Sequence, residues 1–428
     1  MLDIKAIRNN RETIEKLLKT KDPKASVSTV FSLDVQLREI KSEVEELKSQ
    51  RNKLSKKIGE RKREGKDTSD TMKEVESFGS QIHELDAKQK ILEEKFHHEL
   101  SKLPNIPMED IKVSFNVEDN VCLRKHKEKK IFDFPLKNHL ELNEKLHLFD
   151  FQRGAKISGH GWPVYKNMGA RLEWALIHYM MDVNIKNGFI PWFPPLLVRP
   201  DIMYGAGQLP KFQDQIFRLQ DEHFHLFLIP TAEVALNGLH CNEILSEENL
   251  PLKYVSYTPC FRREAGAAGS QERGLIRMHQ FNKVEMYCFT KPEESMSVFE
   301  SMLSNAEEIL QELDLHYRVT LLVTGDMSFA SSRTIDIEAW LPGQNRYYEV
   351  SSISNCTDYQ ARRSHIRFKR KKNKSTEFVH TLNGSALATS RLMVSLLENN
   401  QNPDGSIQIP KVLQKYMGGI SQLEPAQE

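Results

Sequence analysis

Between Tyr254 and Phe289 the chain reads YVSYTPCFRREAGAAGSQERGLIRMHQFNKVEMYCF. Residues 254–264 have the make-up of a strand, the Ala- and Gly-rich run 265–274 that of a loop, and residues 276–289 that of the returning strand. Period-two alternation puts Arg262 and Glu264 on one face of the first strand. It puts Arg277, His279, Phe281, Lys283 and Glu285 on one face of the second, with Ile276, Met278, Val284 and Met286 opposite. Arginines neutralise and orient phosphates through a planar fork of donors. A carboxylate accepts from an exocyclic amine, and a phenyl ring offers a stacking face to a purine. Together these parts suit a nucleotide laid across a sheet. For each residue alone, an ordinary hairpin with a solvated polar face remains the competing reading.

Upstream, residues 171–185 form an apolar-rich helix (Leu172, Trp174, Ala175, Ile177, Met180, Met181) that Asn187-Gly188 stops. The proline-bearing run 188–198 follows it. Downstream, residues 378–382 read as a strand, Asn383-Gly384-Ser385 as a tight turn, and residues 386–397 as an apolar helix carrying Arg391. Strand-like and helical stretches alternate irregularly beyond residue 108, which predicts an α+β fold.

Residues 32–100 are of a different kind, with no proline and a dense mixture of both charges. Leu33, Leu37, Ile40, Val44, Leu47, Leu54 and Ile58 keep spacings of four and three. After a break at Gly65–Ser69 the rhythm resumes at Val75, Phe78, Ile82, Leu85, Leu92 and Phe96. Two heptad segments joined by a short turn predict an antiparallel helical hairpin (a coiled coil), each arm of about 30 residues reaching roughly 45 Å. Lys48, Arg51, Lys53, Lys56, Lys57, Arg61, Lys62, Arg63 and Lys66 crowd toward the tip, with Glu60 and Glu64 as the acidic residues among them. A basic tip on a long rod suits a nucleic-acid backbone; a dimerisation coil or spacer is the alternative. Leu103-Pro104-Asn105-Ile106-Pro107 ends the second helix. The expected domains are therefore 1–108 and 109–428.

A net charge of +1 gives the whole molecule no electrostatic pull on nucleic acid, so such binding must come from local patches. Cys122, Cys241, Cys260, Cys288 and Cys356 are odd in number and never in a C-x-x-C pair, which argues against a disulfide framework and against zinc. The first residues lack a secretory apolar core, and no apolar run approaches the roughly 18–20 residues of a membrane span. The expectation is a cytoplasmic protein that uses no membrane.

Phe-Arg-x-Glu, a small-residue loop and Arg-x-x-x-Phe, in that order, resemble the second signature motif of class II aminoacyl-tRNA synthetases. The helix and proline-bearing run 171–198 resemble the first motif, and the segment around Gly384 and Arg391 the third, with a single glycine where the class often has several. Thr231-Ala232-Glu233, Glu349-Val350-Ser351-Ser352 followed by Ser354-Asn355-Cys356-Thr357-Asp358-Tyr359-Gln360-Ala361-Arg362-Arg363, and Thr381-Leu382-Asn383-Gly384-Ser385 narrow the likeness to the bacterial-type seryl-tRNA synthetase family. The hairpin is similar too, and the 37 residues after Arg391 are too few for a C-terminal anticodon-binding domain.

That resemblance implies a tRNA-binding hairpin domain and a catalytic domain on a mostly antiparallel sheet flanked by helices. It implies an ATP-binding ligase of protein biosynthesis, a homodimer, that converts L-serine to seryl-adenylate and charges the 3' end of tRNA(Ser), held by its long variable arm. Thr231, Ala232, Glu233, Glu285, Asn383 and Ser385 would bind serine. Arg262 would bridge the serine carboxylate and the α-phosphate, and Arg262 and Arg391 are the expected catalytic residues. Arg263, Glu264, Arg277, Phe281, Glu349, Val350, Ser351 and Ser352 would complete the ATP site, Glu264 meeting the adenine amine and Phe281 stacking on the ring. Glu349 and Ser352 would ligate Mg²⁺, with no zinc. In an ideal strand those two have opposite parity, so both reach one ion only at a strand end or a bulge. Lys53, Lys56, Lys57, Arg61, Lys62 and Arg63 would grip the tRNA.

In-line attack by the serine carboxylate on the α-phosphorus needs positioning and charge neutralisation, not a general base. His279 is accordingly read as a structural or rim residue. The basic run from Arg362 to Lys374 has two readings, contact with the tRNA acceptor end or a solvated hairpin. Two rivals are weaker: a relative that loads a carrier protein has no use for the basic-tipped hairpin, and an inactive scaffold has none for Arg262, Glu264, Arg277, Phe281, Glu285 and Arg391 together.

Overall fold

The computed structural model describes residues 1–264 and 274–426, apart from the side chain of Gln220; the loop 265–273 lies outside the described residues. The chain forms two compact units, Leu2–Pro104 and Asn105–Glu428.

In the first unit, short helices at Ile4–Asn9 and Arg11–Lys19 precede two long ones, α1 (Ser28–Arg63) and α2 (Ser69–Ser101). Arg61, Lys62 and Arg63 sit in the last turn of α1, where cations complement the helix dipole. Gly65 then takes a φ of +67° to leave the helix. Asp67 accepts from the Ser69 amide at 2.9 Å and so helps start α2. Lys41 pairs with Glu93 at 2.9 Å and Lys48 with Asp86 at 3.5 Å. These contacts step seven residues in opposite senses along the two helices, so the arms are antiparallel. Val30, Leu37, Ile40, Val44, Ile82, Phe96 and Leu100 are buried, whereas Leu47, Leu54, Ile58, Val75 and Phe78 are half-buried. The seam therefore loosens outward, and burial stabilises the base more than the tip. The tip is also less one-sidedly basic than the first arm implies, because the turn and α2 bring Asp67, Asp70 and Glu74 alongside it.

The second unit is built on an eight-stranded sheet. Its strands are β1 (Val121–His126), β2 (Ile190–Pro191), β3 (Leu252–Phe261), β4 (Gln280–Thr290), β5 (Tyr317–Leu321), β6 (Arg333–Leu341), β7 (Arg346–Asn355) and β8 (His380–Ala388). Their order is β1-β5-β6-β7-β8-β4-β3-β2, antiparallel throughout except for β2 beside β3. Helices α3 (Asn167–Lys186), α4 (Ala232–Gly238), α5 (Ser295–Glu312) and α6 (Thr389–Asn399) flank it. Leu172, Leu176 and Met180 of α3, Phe299, Met302 and Ile309 of α5 and Leu392, Met393 and Leu396 of α6 share one core with Val284, Met286 and Ile353 of the sheet. Gly188, at φ +84°, ends α3, its amide on Ile185 O while the Phe189 amide reaches Asn184 O.

Three local expectations need correcting. Asn383-Gly384-Ser385 is not a turn but the middle of β8, and the helix begins at Thr389. Gly384 is required there by space: a Cβ would stand 2.9 Å from Ile353 Cγ1 on the neighbouring strand. The strand after the loop starts at Gln280, with a 3-10 turn at Gly274–Ile276, so Arg277 reaches its place without strand alternation. Glu264 lies beyond the end of β3 at φ +46°, which re-aims its side chain.

Candidate functional site

The joined end of the β3/β4 hairpin, at Phe261 and Gln280, together with residues 349–354 of β7 and 383–388 of β8, lines one cleft with two lobes, of about 560 and 1210 Å³ with the solvent-open space counted. The smaller lobe gathers Arg262, Glu264, Arg277, Phe281, Glu349, Val350 and Arg391. Arg277 Nε donates to Glu264 Oε2 at 2.7 Å, so the two charges hold each other in place. The Arg262 guanidinium lies 5.2 Å from the centroid of the Phe281 ring. Arg391 Nη1 donates to the carbonyl and to Oε2 of Glu349, both at 3.0 Å, and its guanidinium covers Tyr348. Leu387, at φ +86°, turns the chain from β8 into α6 just before Arg391. A bulky residue held there is a strained position of the kind found at functional sites.

The larger lobe holds Thr231, Glu233, Glu285, Asn383 and Ser352, with Arg262, Glu264, Lys283, Glu349 and Ser385 shared between lobes. Glu285 and Ser385 are cross-strand partners, and the Ser385 hydroxyl donates to Glu285 Oε2 at 3.4 Å. Thr231 caps α4, its Oγ1 accepting from the Glu233 amide at 3.3 Å. Glu233 accepts from Gln360 Nε2 at 2.5 Å and from Asn383 Nδ2 at 3.1 Å. Burial first, and then the charge of Glu285, push its carboxyl up to about 7 against the pull of the Gln360 hydrogen bond.

Glu349 and Ser352 reach the same lobe because the β6/β7 ladder slips by one residue. Ile337 pairs with Ser351 and Glu338 with Glu349, so Val350 is an extra, bulged residue. Directly across from Ser352 on β6, burial and then the Glu349 charge hold the Asp336 carboxyl well above the usual carboxylate range, against the pull of a hydrogen bond with Ser352. A carboxylate beside a hydroxyl, both hard oxygen donors, fits Mg²⁺, which takes few protein ligands and keeps water or phosphate for the rest. No cluster of three or more His, Cys, Asp or Glu able to hold a metal occurs among the described residues.

Some expected site residues stand outside the cleft lining. Ala232 is fully buried in α4, Arg263 points to solvent, and Ser351 is buried with its hydroxyl on the Ser385 carbonyl. His279 leans on Trp162 and has Nδ1 3.2 Å from the Arg262 carbonyl, a structural position.

Lys283 had no assigned role from sequence, yet its ammonium lies 2.6 Å from Glu285 and 2.9 Å from Thr231 Oγ1 inside the larger lobe. Strand parity carried that signal, since Lys283 lies on the face of Phe281 and Glu285. Gln360 also escaped assignment; it sits on a short helix, Tyr359–Ser364, where no periodicity marks it.

Much of the basic run is structural. Arg370 pairs with Glu247, Glu293 and Glu377, Lys371 with Glu248, and Arg362 with Asp358. Arg363 is buried, donating to the carbonyls of Tyr204 and Leu209. Lys53, Lys56, Lys57, Arg61, Lys62 and Arg63 of the hairpin are all exposed.

Residues 217–400 match the family described as tRNA synthetase class II core domain (G, H, P, S and T), and residues 1–107 match the seryl-tRNA synthetase N-terminal domain. A serine–tRNA ligase of Chlamydia pneumoniae is 52% identical over 425 residues, 99% of either chain. The crystal structure of seryl-tRNA synthetase from Pyrococcus horikoshii complexed with ATP is similar at a TM-score of 0.93 and 38% identity, covering 100% of both chains. The cytoplasmic serine–tRNA ligase from Naegleria fowleri in complex with AMP gives a TM-score of 0.87 at 29% identity, covering 100% of this chain and 99% of that one.

Proposed function

The chain belongs to the seryl-tRNA synthetase family, and from that premise we propose how its residues divide the work of a serine–tRNA ligase. The enzyme activates L-serine with ATP to seryl-adenylate and transfers the serine to the 3' end of tRNA(Ser). The observation that carries this reading is the cleft: arginines, carboxylates and one aromatic ring in one lobe, and a buried hydroxyl and carboxylate set in the next.

ATP lies in the smaller lobe. Phe281 stacks on adenine, and Glu264 accepts from its amine with one oxygen while the other holds Arg277. Arg277 and Arg391 take the γ-phosphate of a bent ATP. Glu349 and Ser352 would hold Mg²⁺, which when bound neutralises charge on the leaving pyrophosphate.

Serine fills the larger lobe. Glu285 and Thr231 receive its ammonium and hydroxyl in competition with Lys283, Ser385 also faces the hydroxyl, and Asn383 orients Glu233. Arg262, at the junction, bridges the serine carboxylate and the α-phosphate. The carboxylate attacks α-phosphorus in line and pyrophosphate leaves, with the arginines neutralising the charge that builds up. Alanine would leave the buried hydroxyl and carboxylates without their partner, a larger penalty than a missing methyl group.

Residues 109–428 form the catalytic domain and residues 1–108 the tRNA-binding domain, whose exposed tip cations hold the long variable arm of tRNA(Ser). The protein works in the cytoplasm, and among the described residues no helix is long and apolar enough to cross a membrane.

Serine is expected to be the one amino acid of the twenty that strongly stimulates ATP–pyrophosphate exchange. Strong stimulation by threonine, glycine or alanine would overturn the serine assignment and leave the class intact. The protein is also expected to be a homodimer. Trp174 and Ile185 on α3 and Ile190 and Phe193 just after it are exposed, Phe193 at 82%, an apolar face suited to a partner subunit. Light scattering at micromolar concentration checks this, and a monomeric mass would contradict it.

A further inference from the structure

Beneath the floor of the cleft lies a buried carboxyl that the mechanism above does not use. Glu173 sits on α3, 5% exposed. Its Oε1 accepts from Asn282 Nδ2 at 2.8 Å and from the Thr389 hydroxyl. That hydroxyl also lies 3.0 Å from the Asn282 carbonyl. Asn282 Oδ1 in turn accepts from the Tyr257 hydroxyl at 3.2 Å, so the amide is fixed from both ends. The other carboxyl oxygen, Oε2, is buried with no hydrogen-bond partner among the described residues. Burial pushes the carboxyl up to about 7 against the pull of Thr389 and Asn282. An acid in this position costs free energy that an apolar residue of similar size would not.

What Glu173 joins is informative. Asn282 follows Phe281 in β4, and alternation sends the two side chains to opposite faces of the sheet. Thr389 is the first residue of α6, two before Arg391. The backbone ladder between β4 and β8 runs only as far as Lys283 opposite Ala388, and it slips there. Phe281 and Arg391 therefore lie past the last rung, where no backbone pairing sets their separation. The Asn282–Glu173–Thr389 junction takes over from that point.

We infer that Glu173 is a positioning residue for ATP: by clamping Asn282 to Thr389 it fixes the spacing between the ring of Phe281 and the guanidinium of Arg391. The inference rests on the placement of ATP proposed above. It applies to ATP and not to serine, because Glu285 and Ser385 lie inside the paired part of the β4/β8 ladder, which needs no such clamp.

The test is steady-state ATP–pyrophosphate exchange on the full-length protein. Glu173→Leu is expected to raise KM for ATP by about tenfold or more, the scale of a small misplacement of binding groups. KM for serine should stay within about threefold. Thr389→Val, which removes one hydroxyl and keeps the shape, should produce the same selective rise. Glu173→Gln keeps an acceptor at Oε1 and should restore KM for ATP to within about threefold of the unaltered protein. A purely structural role would lower the thermal midpoint and move both KM values together. Equal shifts in the two KM values, an unchanged KM for ATP in Glu173→Leu and Thr389→Val, or a glutamine variant as impaired as Glu173→Leu would each overturn the inference. Should Glu173→Leu fail to fold, Thr389→Val and Glu173→Gln decide the matter alone. Failure of the underlying reading looks different: the unaltered protein itself would then show no serine-dependent exchange.

Discussion

Arg262→Ala is expected to lower serine-dependent ATP–pyrophosphate exchange by about a hundredfold or more, the scale of removing one preorganised electrostatic group. Arg262 borders both lobes of the cleft, so under the substrate placement proposed above its charge would face the serine carboxylate and the α-phosphate at once. Both groups change charge distribution as the mixed anhydride forms, so the arginine is worth more in the transition state than in either bound substrate. Its side-chain contacts with the described residues are modest: a 3.4 Å hydrogen bond to the Pro230 carbonyl and the face of Phe281. The alanine variant should therefore fold, which its thermal midpoint would confirm. Arg262→Lys keeps the charge but loses the planar fork and should recover only part of the rate. A folded Arg262→Ala protein with near-normal exchange would show that the reacting groups meet elsewhere.

Removing the hairpin should separate the two steps of the reaction. Residues 32–100 leave and return on adjacent ends of two antiparallel helices, so a short linker can replace them. All the residues proposed to touch ATP and serine lie at or beyond Thr231, and they and Glu173 belong to the second compact unit. Serine activation by the deleted protein should stay near normal while charging of tRNA collapses. In the intact protein, neutralising Lys53, Lys56, Arg61 and Arg63 should weaken tRNA binding. It should also flatten the salt dependence by roughly 0.7–0.9 in the log–log slope for each phosphate that no longer meets a cation. A deleted protein that charged tRNA at the normal rate and affinity would make the hairpin a spacer or a dimerisation coil.

The parts of the molecule that depend on local periodicity were legible in the sequence. Heptad spacing marked the two long helices, and Asn187-Gly188 marked the end of α3, because capping is a property of a few neighbouring residues. Asn383-Gly384-Ser385 was misread for the opposite reason. Its composition is that of a turn, but Gly384 answers to Ile353, a neighbour in space and not in sequence. Strand parity brought Phe281, Lys283 and Glu285 to one face. Parity cannot tell a solvated ion pair from a dry one, so the burial of the Lys283–Glu285 pair had no sequence signal. Nor had Glu173, which reads as one more polar position on an amphipathic helix until Asn282 and Thr389 are seen beside it. Asp67, Asp70 and Glu74 are in plain view but belong to the turn and the other arm, and only the folded hairpin sets them among the tip cations.

The extra residue in β7 bears on how this site responds to genetic change. Val350 is an apolar, almost fully buried residue, and a survey of single replacements would score it as an ordinary packing position tolerant of isoleucine or leucine. Its larger significance is that it is the residue the bulge absorbs, which lets Glu349 and Ser352, three apart in sequence, come to the same side. Information of that sort resides in the spacing of the reading frame's codons and not in their meaning. Loss of this codon would leave the two donors two residues apart, on one face of a regular strand, whereas gain of one codon beside it would leave every neighbouring residue type unchanged and turn the pair of oxygen donors away from each other. Catalogues of tolerated substitutions are blind to such a position, and comparison of segment lengths is where its constraint would surface.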